Sequence, residues 1–447
     1  MEKIYSVLPY YQHTGAGISN LLARFLYHKI SGCWPIDSMS VDQSASFVPG
    51  PTYVLTSPYH HQFQLWIVKL LEHMPAPHAP ETSLSPIGPS TGERLPATLE
   101  PDDIYLFPNR SAALYRLHQY LNKANGNEFK SVAFGPVFQS TIHILREWGA
   151  GCLEIAHGDD GDMQQLQEIC EAEISADRKV QAVYVEFPCH PNFECGDLYT
   201  LRCLADVYHF ILVVDVSARG LCNIDLMSVA DVVVVAPFDV VCGIIVLNPL
   251  NRPTYRRLRK LFAEKHKNEV FHLDAEALVQ SASNYRTRQR TINHNADVVA
   301  TFLQKQISNP LSTVSKVGYP RFNKTSRYYE MFMRGACPGF TPGYGGLISV
   351  EFEELEYAKA FFNAVELYPS SNLRESVTCI YPYNRAFYDR STEDESKAEG
   401  HGWSMAQVRI SIGSEDDEDP LATVQRGLRV ADAVKQAKNA SLVVPTA

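Results

Sequence analysis

Between Lys179 and Lys260 the chain holds no lysine, although that interval carries most of its apolar, strand-like runs. Chemistry that needs a primary amine there, as imine formation does, is excluded. The ten cysteines form no CxxC pair and stand at no His/Cys spacing suited to zinc. Neither a metal site nor a disulfide framework is expected, and the thiols read as reduced. No apolar run approaches the ~20 residues that cross a bilayer. The start, "MEKIYSVLPYYQHTG", has no charged region followed by an apolar core. The expectation is a cytoplasmic protein without a membrane partner. Positive charge is also short: 40 Lys+Arg against 50 Asp+Glu leave a formal net charge of -10, which argues against nucleic acid as a partner. The densest basic stretch, "YRRLRKLF" (Tyr255 to Phe262), has the period of a solvated helix face.

What is present is an ordinary globular composition, 45% hydrophobic and 20% charged over 447 residues, long enough for one large and one or two smaller domains. An aromatic- and His-rich segment with helical periodicity in "ISNLLARFLYHKI" occupies 1–74. Residues 75–100 form a linker or surface loop, because "PAPHAPETSLSPIGPSTGERLP" is too rich in Pro, Ser and Gly for regular structure. Over 101–311 short β-branched runs ("SVAFG", "LEIAHG", "AVYVEFP", "FILVVDVS", "DVVVVAP", "GIIVLNP") alternate with helix-period segments such as "SAALYRLHQYLNKA" and "DLYTLRCLADVYH". That pattern predicts a mostly parallel sheet covered on both faces. From 312 to 447 strand-then-helix patterns ("GGLISVEFEELEYAKAFFNAVELY" and "VRISIGSEDDEDPLATVQRGLRVADAVKQA") predict a smaller α+β domain. Within it "YDRSTEDESKAEGHGW" (Tyr388 to Trp403) reads as an exposed acidic loop.

Taken in order, "QHTGAGIS", "DIYLFPNRSAALYRLHQ", "KSVAFG", "GCLEIAHGDD", "YVEFPCHPNF", "VVDVSARGLCNID", "ADVVVV", "GIIVLNP", "PGYGGLISVEF" and "VRISIGSED" resemble the fungal cystathionine γ-synthase-like proteins. These are pyridoxal-phosphate (PLP) enzymes of the Cys/Met metabolism group. The resemblance implies an α/β fold of the PLP-transferase type I, a homodimer, and a small-molecule substrate, without the family's usual longer N-terminal extension. It also implies a site from which pieces are missing. The family's Ser-x-Thr-Lys turn would fall between Val235 and Gly243, where the chain reads "APFDVVC"; Arg cannot replace that lysine, because it is not an imine-forming amine. Asn109, Arg110 and Ser111 stand where the family has a Ser-Gly-Met phosphate turn, and Ser19, Asn20 and Leu21 where it has a phosphate arginine. Phe138 replaces a ring-stacking tyrosine, and His190 an asparagine that reaches the ring hydroxyl. Retained are Asp215, the family's pyridine-nitrogen carboxylate, Ser217 beside it, and Arg409, which matches the arginine that grips a substrate carboxylate.

The expectation is therefore a family member that uses no PLP. Its leading form is a repurposed enzyme of lyase or cyclase type (cyclisation, dehydration or C–C bond formation) in fungal specialised metabolism. There His190, Asp215 and Ser217 would be catalytic, with His190 the proton-transfer group. Arg409, Phe138, Asn109 and Arg110 would bind a carboxylated or enolisable substrate. Asp215 has an alternative, a structural carboxylate neutral or paired to Arg219, and Arg110 a second role as a new anion ligand or an ion-paired arginine. Two other functions stand beside the first. One is a non-catalytic protein that binds a metabolite or partners an active relative, its cleft filled by Phe138 and Phe238. The other is a PLP-dependent γ-substitution enzyme that uses a different lysine.

Overall fold

The structure is a computed structural model that describes residues 22–23, 56–72, 98–217, 221–236, 242–250, 252–370, 376–388, 396, 398, 400–416 and 418–443. Residues 75–97 of the proposed 75–100 linker, Ser19 to Leu21, Arg219 and Phe238 lie outside the described residues.

Strands β1 (Ile104–Phe107), β2 (Ser131–Phe134), β3 (Cys152–Ile155), β4 (Ala182–Glu186), β5 (Ile211–Asp215), β6 (Val232–Val235) and β7 (Gly243–Leu247) form one sheet in the order β1-β7-β6-β5-β4-β2-β3. The pairs from β6 through β3 are parallel, and β7 runs antiparallel to both its neighbours. The sheet is thus mostly parallel, as its continuous apolar runs require, since parallel strands are buried on both faces. Among the described residues seven helices go with it: α1 (Pro58–Glu72), α2 (Arg110–Ala124), α3 (Gln139–Glu147), α4 (Asp160–Ser175), α5 (Leu198–Tyr208), α6 (Arg252–Lys265) and α7 (His272–Ala282).

Side-chain alternation along each strand divides the core in two. Val183, Val185, Leu212, Val214, Val233 and Val235 pack with α1, α4, α5 and α7 residues such as Phe63, Leu166, Leu201 and Leu278. Ala182, Tyr184, Ile211, Val213, Val232 and Val234 pack with Leu114, Leu117, Ile144 and Leu258 of α2, α3 and α6. On α6 the basic run keeps Arg256, Arg257 and Lys260 exposed and buries Tyr255, Leu258 and Phe262.

The long α8 (Tyr285–Gln306) leads into a second sheet of β8 (Val314–Gly318), β9 (Leu347–Phe352), β10 (Tyr368–Pro369), β11 (Cys379–Tyr381) and β12 (Gln407–Ser411), in the order β10-β11-β12-β9-β8. Short helices α9 (Ser326–Met331) and α11 (Tyr383–Tyr388) and longer α10 (Leu355–Ala364) and α12 (Glu418–Val443) complete it. Here too alternation sorts the strands. Ile348, Val350, Val408 and Ile410 enter an apolar core with α8, α10 and α12. Ser349, Gln407 and Arg409 point the other way, and Gln407 Nε2 donates to Asn192 Oδ1 at 2.7 Å, in the loop after β4. The polar face of the small sheet therefore looks toward the strand ends of the large one.

Candidate functional site

Glu186 and Asp215 are the last residues of β4 and β5, and they sit opposite each other in register. Paired residues on neighbouring strands project to the same face, and by the alternation above that face is the one α2 covers. Two carboxylates so placed, 4% and 6% exposed, repel unless a cation lies between them. Arg110, the first residue of α2, supplies it: Nε donates to Asp215 Oδ2 at 2.6 Å and Nη2 to Glu186 Oε1 at 2.6 Å. Nη2 also reaches Thr141 Oγ1 at 3.2 Å, and the guanidinium carbon lies 5.4 Å from the centre of the Phe138 ring. Glu186 Oε1 takes a further bond from the Phe138 N–H at 2.8 Å, and Asp215 Oδ1 one from the Ser217 N–H at 2.9 Å.

These contacts divide the electrostatics unevenly. Burial alone would raise the pKa of Glu186, but the Arg110 guanidinium and the His190 hydrogen bond overcome it and hold the carboxyl below its usual range. For Asp215 burial prevails over the help of Arg110, Glu186 adds its repulsion, and the pKa is raised. Burial works against the charge on Arg110, yet Asp215 and Glu186 outweigh it and raise the pKa above the ordinary arginine value.

His190 lies just beyond β4. Its Nδ1 meets Glu186 Oε2 at 3.0 Å, and its Nε2 is buried with no hydrogen-bond partner among the described residues. Since an ionised carboxylate can only accept, Nδ1 carries the proton of this bond and Nε2 of the neutral ring presents a lone pair. The imidazole is stacked on Tyr383 (centroids 5.5 Å apart, planes at 26°) and meets Phe138 and Phe193 edge-on at 6.2 and 5.4 Å. Tyr383, at the start of α11, ties the two sheets together: the Arg409 guanidinium lies 5.0 Å from its ring centre and 5.7 Å from that of Tyr381. Arg409 itself is 5% exposed and faces Ser349 and Tyr381 across its neighbouring strands.

Of the residues singled out from the sequence, His190, Asp215, Ser217, Phe138, Arg110 and Arg409 gather in this one cluster. The anion that Arg110 binds is the protein's own carboxylate pair, and the cation beside Asp215 is Arg110. Asn109 stands apart: its side chain caps α2 by accepting from the Ala112 N–H at 2.9 Å. Sequence reasoning missed Glu186, Thr141 and Tyr383. Glu186 had a legible signal, an acid that closes an apolar run as Asp215 closes its own; Thr141 and Tyr383 had none.

Among the described residues no group of His, Cys, Asp and Glu could hold a metal ion, and no helix is long and apolar enough to cross a membrane. The chain is 28% identical over 359 residues to the cystathionine gamma-synthase-like enzyme iboG2 of Amanita muscaria, a match that covers 76% of this chain and 56% of that protein. It therefore spans little more than half of that relative's length. To the alanine racemase ungC of Aspergillus violaceofuscus it is 28% identical over 443 residues, 95% of this chain and 71% of the other. In three dimensions it resembles cystathionine gamma-lyase from yeast with a TM-score of 0.60 at 19% identity, over 83% of this chain and 98% of that one, which establishes a shared fold. With residues 104–429 matching the model of the Cys/Met metabolism PLP-dependent enzymes, the chain belongs to that family.

Proposed function

We propose that this family member works without PLP, as a lyase- or cyclase-type enzyme of fungal specialised metabolism on a carboxylated or enolisable small molecule, in the cleft between the strand ends and the small sheet. The observation that carries the reading is His190, whose Nδ1 is fixed by Glu186 while its buried Nε2 has no partner among the described residues. A histidine held in one tautomer with a free lone pair is the arrangement that general base catalysis needs. Nε2 would take the proton next to the substrate carbonyl, Glu186 would stabilise the imidazolium that results, and the same proton would be returned to the departing group in an elimination, or to the alkoxide oxygen formed when the enolate carbon closes onto a second carbonyl. Arg409 would hold the carboxylate.

PLP does not fit the residues present. The pyridine nitrogen would have to donate to Asp215, whose Oδ2 already receives Arg110 at 2.6 Å. The phosphate would need the first N–H groups of α2, and Asn109 has taken that of Ala112. No lysine occupies the link between Val235 and Gly243. Arg110 therefore weighs against the γ-substitution reading as much as the missing amine does. The close aromatic packing of Phe138 and Tyr383 on His190 favours one second reading, a metabolite-binding protein without turnover.

The test is incubation with enolisable carboxylated intermediates followed by mass spectrometry. His190→Ala is expected to lower turnover about 10²–10⁴-fold, and Arg409→Ala to weaken substrate binding by roughly 2–5 kcal/mol. Two variants that keep the wild-type circular dichroism spectrum and undiminished turnover would place the working site elsewhere. Binding without turnover would support the second reading. Purified protein is expected to stay colourless after addition of PLP, and a borohydride-reducible visible band would overturn the cofactor-free reading.

A further inference from the structure

We infer that the Glu186–Asp215 pair is a seat for a planar cation with in-plane N–H donors, and that Arg110 is its resident, tethered ligand. The seat is built without help from the helix that carries Arg110. Its acceptors are Glu186 and Asp215 from β4 and β5 and the Thr141 hydroxyl of α3, with Ser140 Oγ at 3.5 Å from Nη1. The Phe138 ring, 5.4 Å from the guanidinium carbon, forms a wall. Ser140 and Thr141 are each 3% exposed, as buried as the carboxylates. In-register strand ends fix the two carboxylates, and the Phe138 and Ser217 N–H groups hold them from behind. None of these restraints passes through residue 110. Cutting that side chain back therefore leaves a preformed slot lined by two carboxyl groups rather than a collapsed core.

The slot specifies a ligand class. Guanidinium, amidinium and protonated N-heterocycles place donors in one plane, as Arg110 does with its bonds to Asp215 and Glu186. A tetrahedral ammonium without N–H groups offers no such fork. Because the native ligand is tethered, its effective concentration far exceeds that of a free competitor. Arg110 thus determines what this cleft refuses, and the class it refuses includes any cationic aromatic ring. The seat does not depend on proton transfer by His190, so it can fail while that reading stands, and the reverse.

The probe is methylguanidinium chloride at millimolar concentration, added to purified Arg110→Ala and wild-type protein, with tetramethylammonium chloride as the control cation. Calorimetric titration and thermal melting are the readouts. Arg110→Ala should melt lower than wild type and recover part of the loss with methylguanidinium but not with tetramethylammonium. It should bind the probe at least about tenfold more tightly than wild type, where the tether competes. Arg110→Ala/Glu186→Gln should lose the effect. Equal responses of wild type and Arg110→Ala, or an undiminished response of the double variant, would overturn the seat. If Arg110→Ala does not fold, Arg110→Met keeps the aliphatic stem and takes its place. Folding of either variant that requires methylguanidinium supports the proposal, and failure of both with and without it counts against it.

Discussion

His118 is a buried base that the cluster does not use, and it sets a limit on stability in acid. It lies on the inner face of α2, 1% exposed, with neither ring nitrogen bonded among the described residues and the Tyr184 ring 6.3 Å away. Burial lowers its pKa from 6.5 to about 4. His266, packed against Tyr105 and Phe107, is lowered to about 4 as well, by burial first and Arg116 second. The sign follows from proton counting. Between pH 6.5 and 4 the unfolded chain binds protons at these positions and the folded one does not. Their contribution is thus fully present above about pH 6.5, declines as the pH falls, and levels off near pH 4. At 1.36 kcal/mol per pKa unit, His118 accounts for a loss of about 3 kcal/mol. His118→Leu should flatten roughly half of the histidine-dependent slope in urea midpoints measured from pH 7 to pH 4. A variant with the wild-type slope would show that His118 is charged and solvated in the fold. Arg110 belongs to the same scale: two carboxylates left without their guanidinium should cost Arg110→Ala about 3–5 kcal/mol.

At the scale of elements, the cluster depends on how closely the start of α2 approaches β7. A Cβ on Gly243, the first residue of β7, would lie 2.2 Å from the Asn109 carbonyl oxygen and 2.9 Å from the Arg110 nitrogen. Only a glycine lets the α2 N-terminus sit against this strand, and that contact fixes where the Arg110 side chain begins. Gly243→Ala must therefore push the helix start outward, at a cost of about 1–3 kcal/mol for overpacking. It should also loosen the Arg110 bonds to Glu186 and Asp215. A urea midpoint equal to that of wild type would mean that α2 stands off from β7. Asn109→Ala, which removes the cap and no packing, should cost about 1 kcal/mol, so the two substitutions separate cap from contact.

The elements themselves were legible in the residues. Each of the six β-branched runs from "SVAFG" to "GIIVLNP" became a strand of the large sheet, because apolar continuity and bounding turn residues are local signals. The acids that close β4 and β5 could be read the same way. What pairs with them could not. Arg110 reaches Glu186 and Asp215 from 76 and 105 residues away in the chain, and periodicity carries no information about such distances. For Asp215 the nearby Arg219 was the more obvious partner in sequence. Tyr383 arrives from the small-sheet half, inside a stretch whose aromatic pattern looks like ordinary core. The fold was thus written in patterns of one residue against its neighbours, while the site depends on contacts between segments far apart in the chain.

For the whole molecule, the remaining question is assembly. The large sheet keeps the family's architecture, with helices on both faces and the two cores divided by strand alternation. The departures from the family that we propose fall mainly on side chains around Asp215. Selection that changes a cleft without disturbing the framework leaves the surfaces of that framework in place, and closed twofold dimers are the commonest soluble assembly. The expectation is a homodimer of twice 50.2 kDa. With each chain carrying a formal charge of -10, like charges approach on association. Where that repulsion is exposed at the rim, salt screens it, so the dimer should persist or tighten as ionic strength rises. A dimer held by ion pairs would instead loosen. Light scattering at micromolar concentration across a salt series decides between these outcomes. A monomer at every ionic strength would show that the framework surface has diverged with the cleft, and that each chain must complete its site alone.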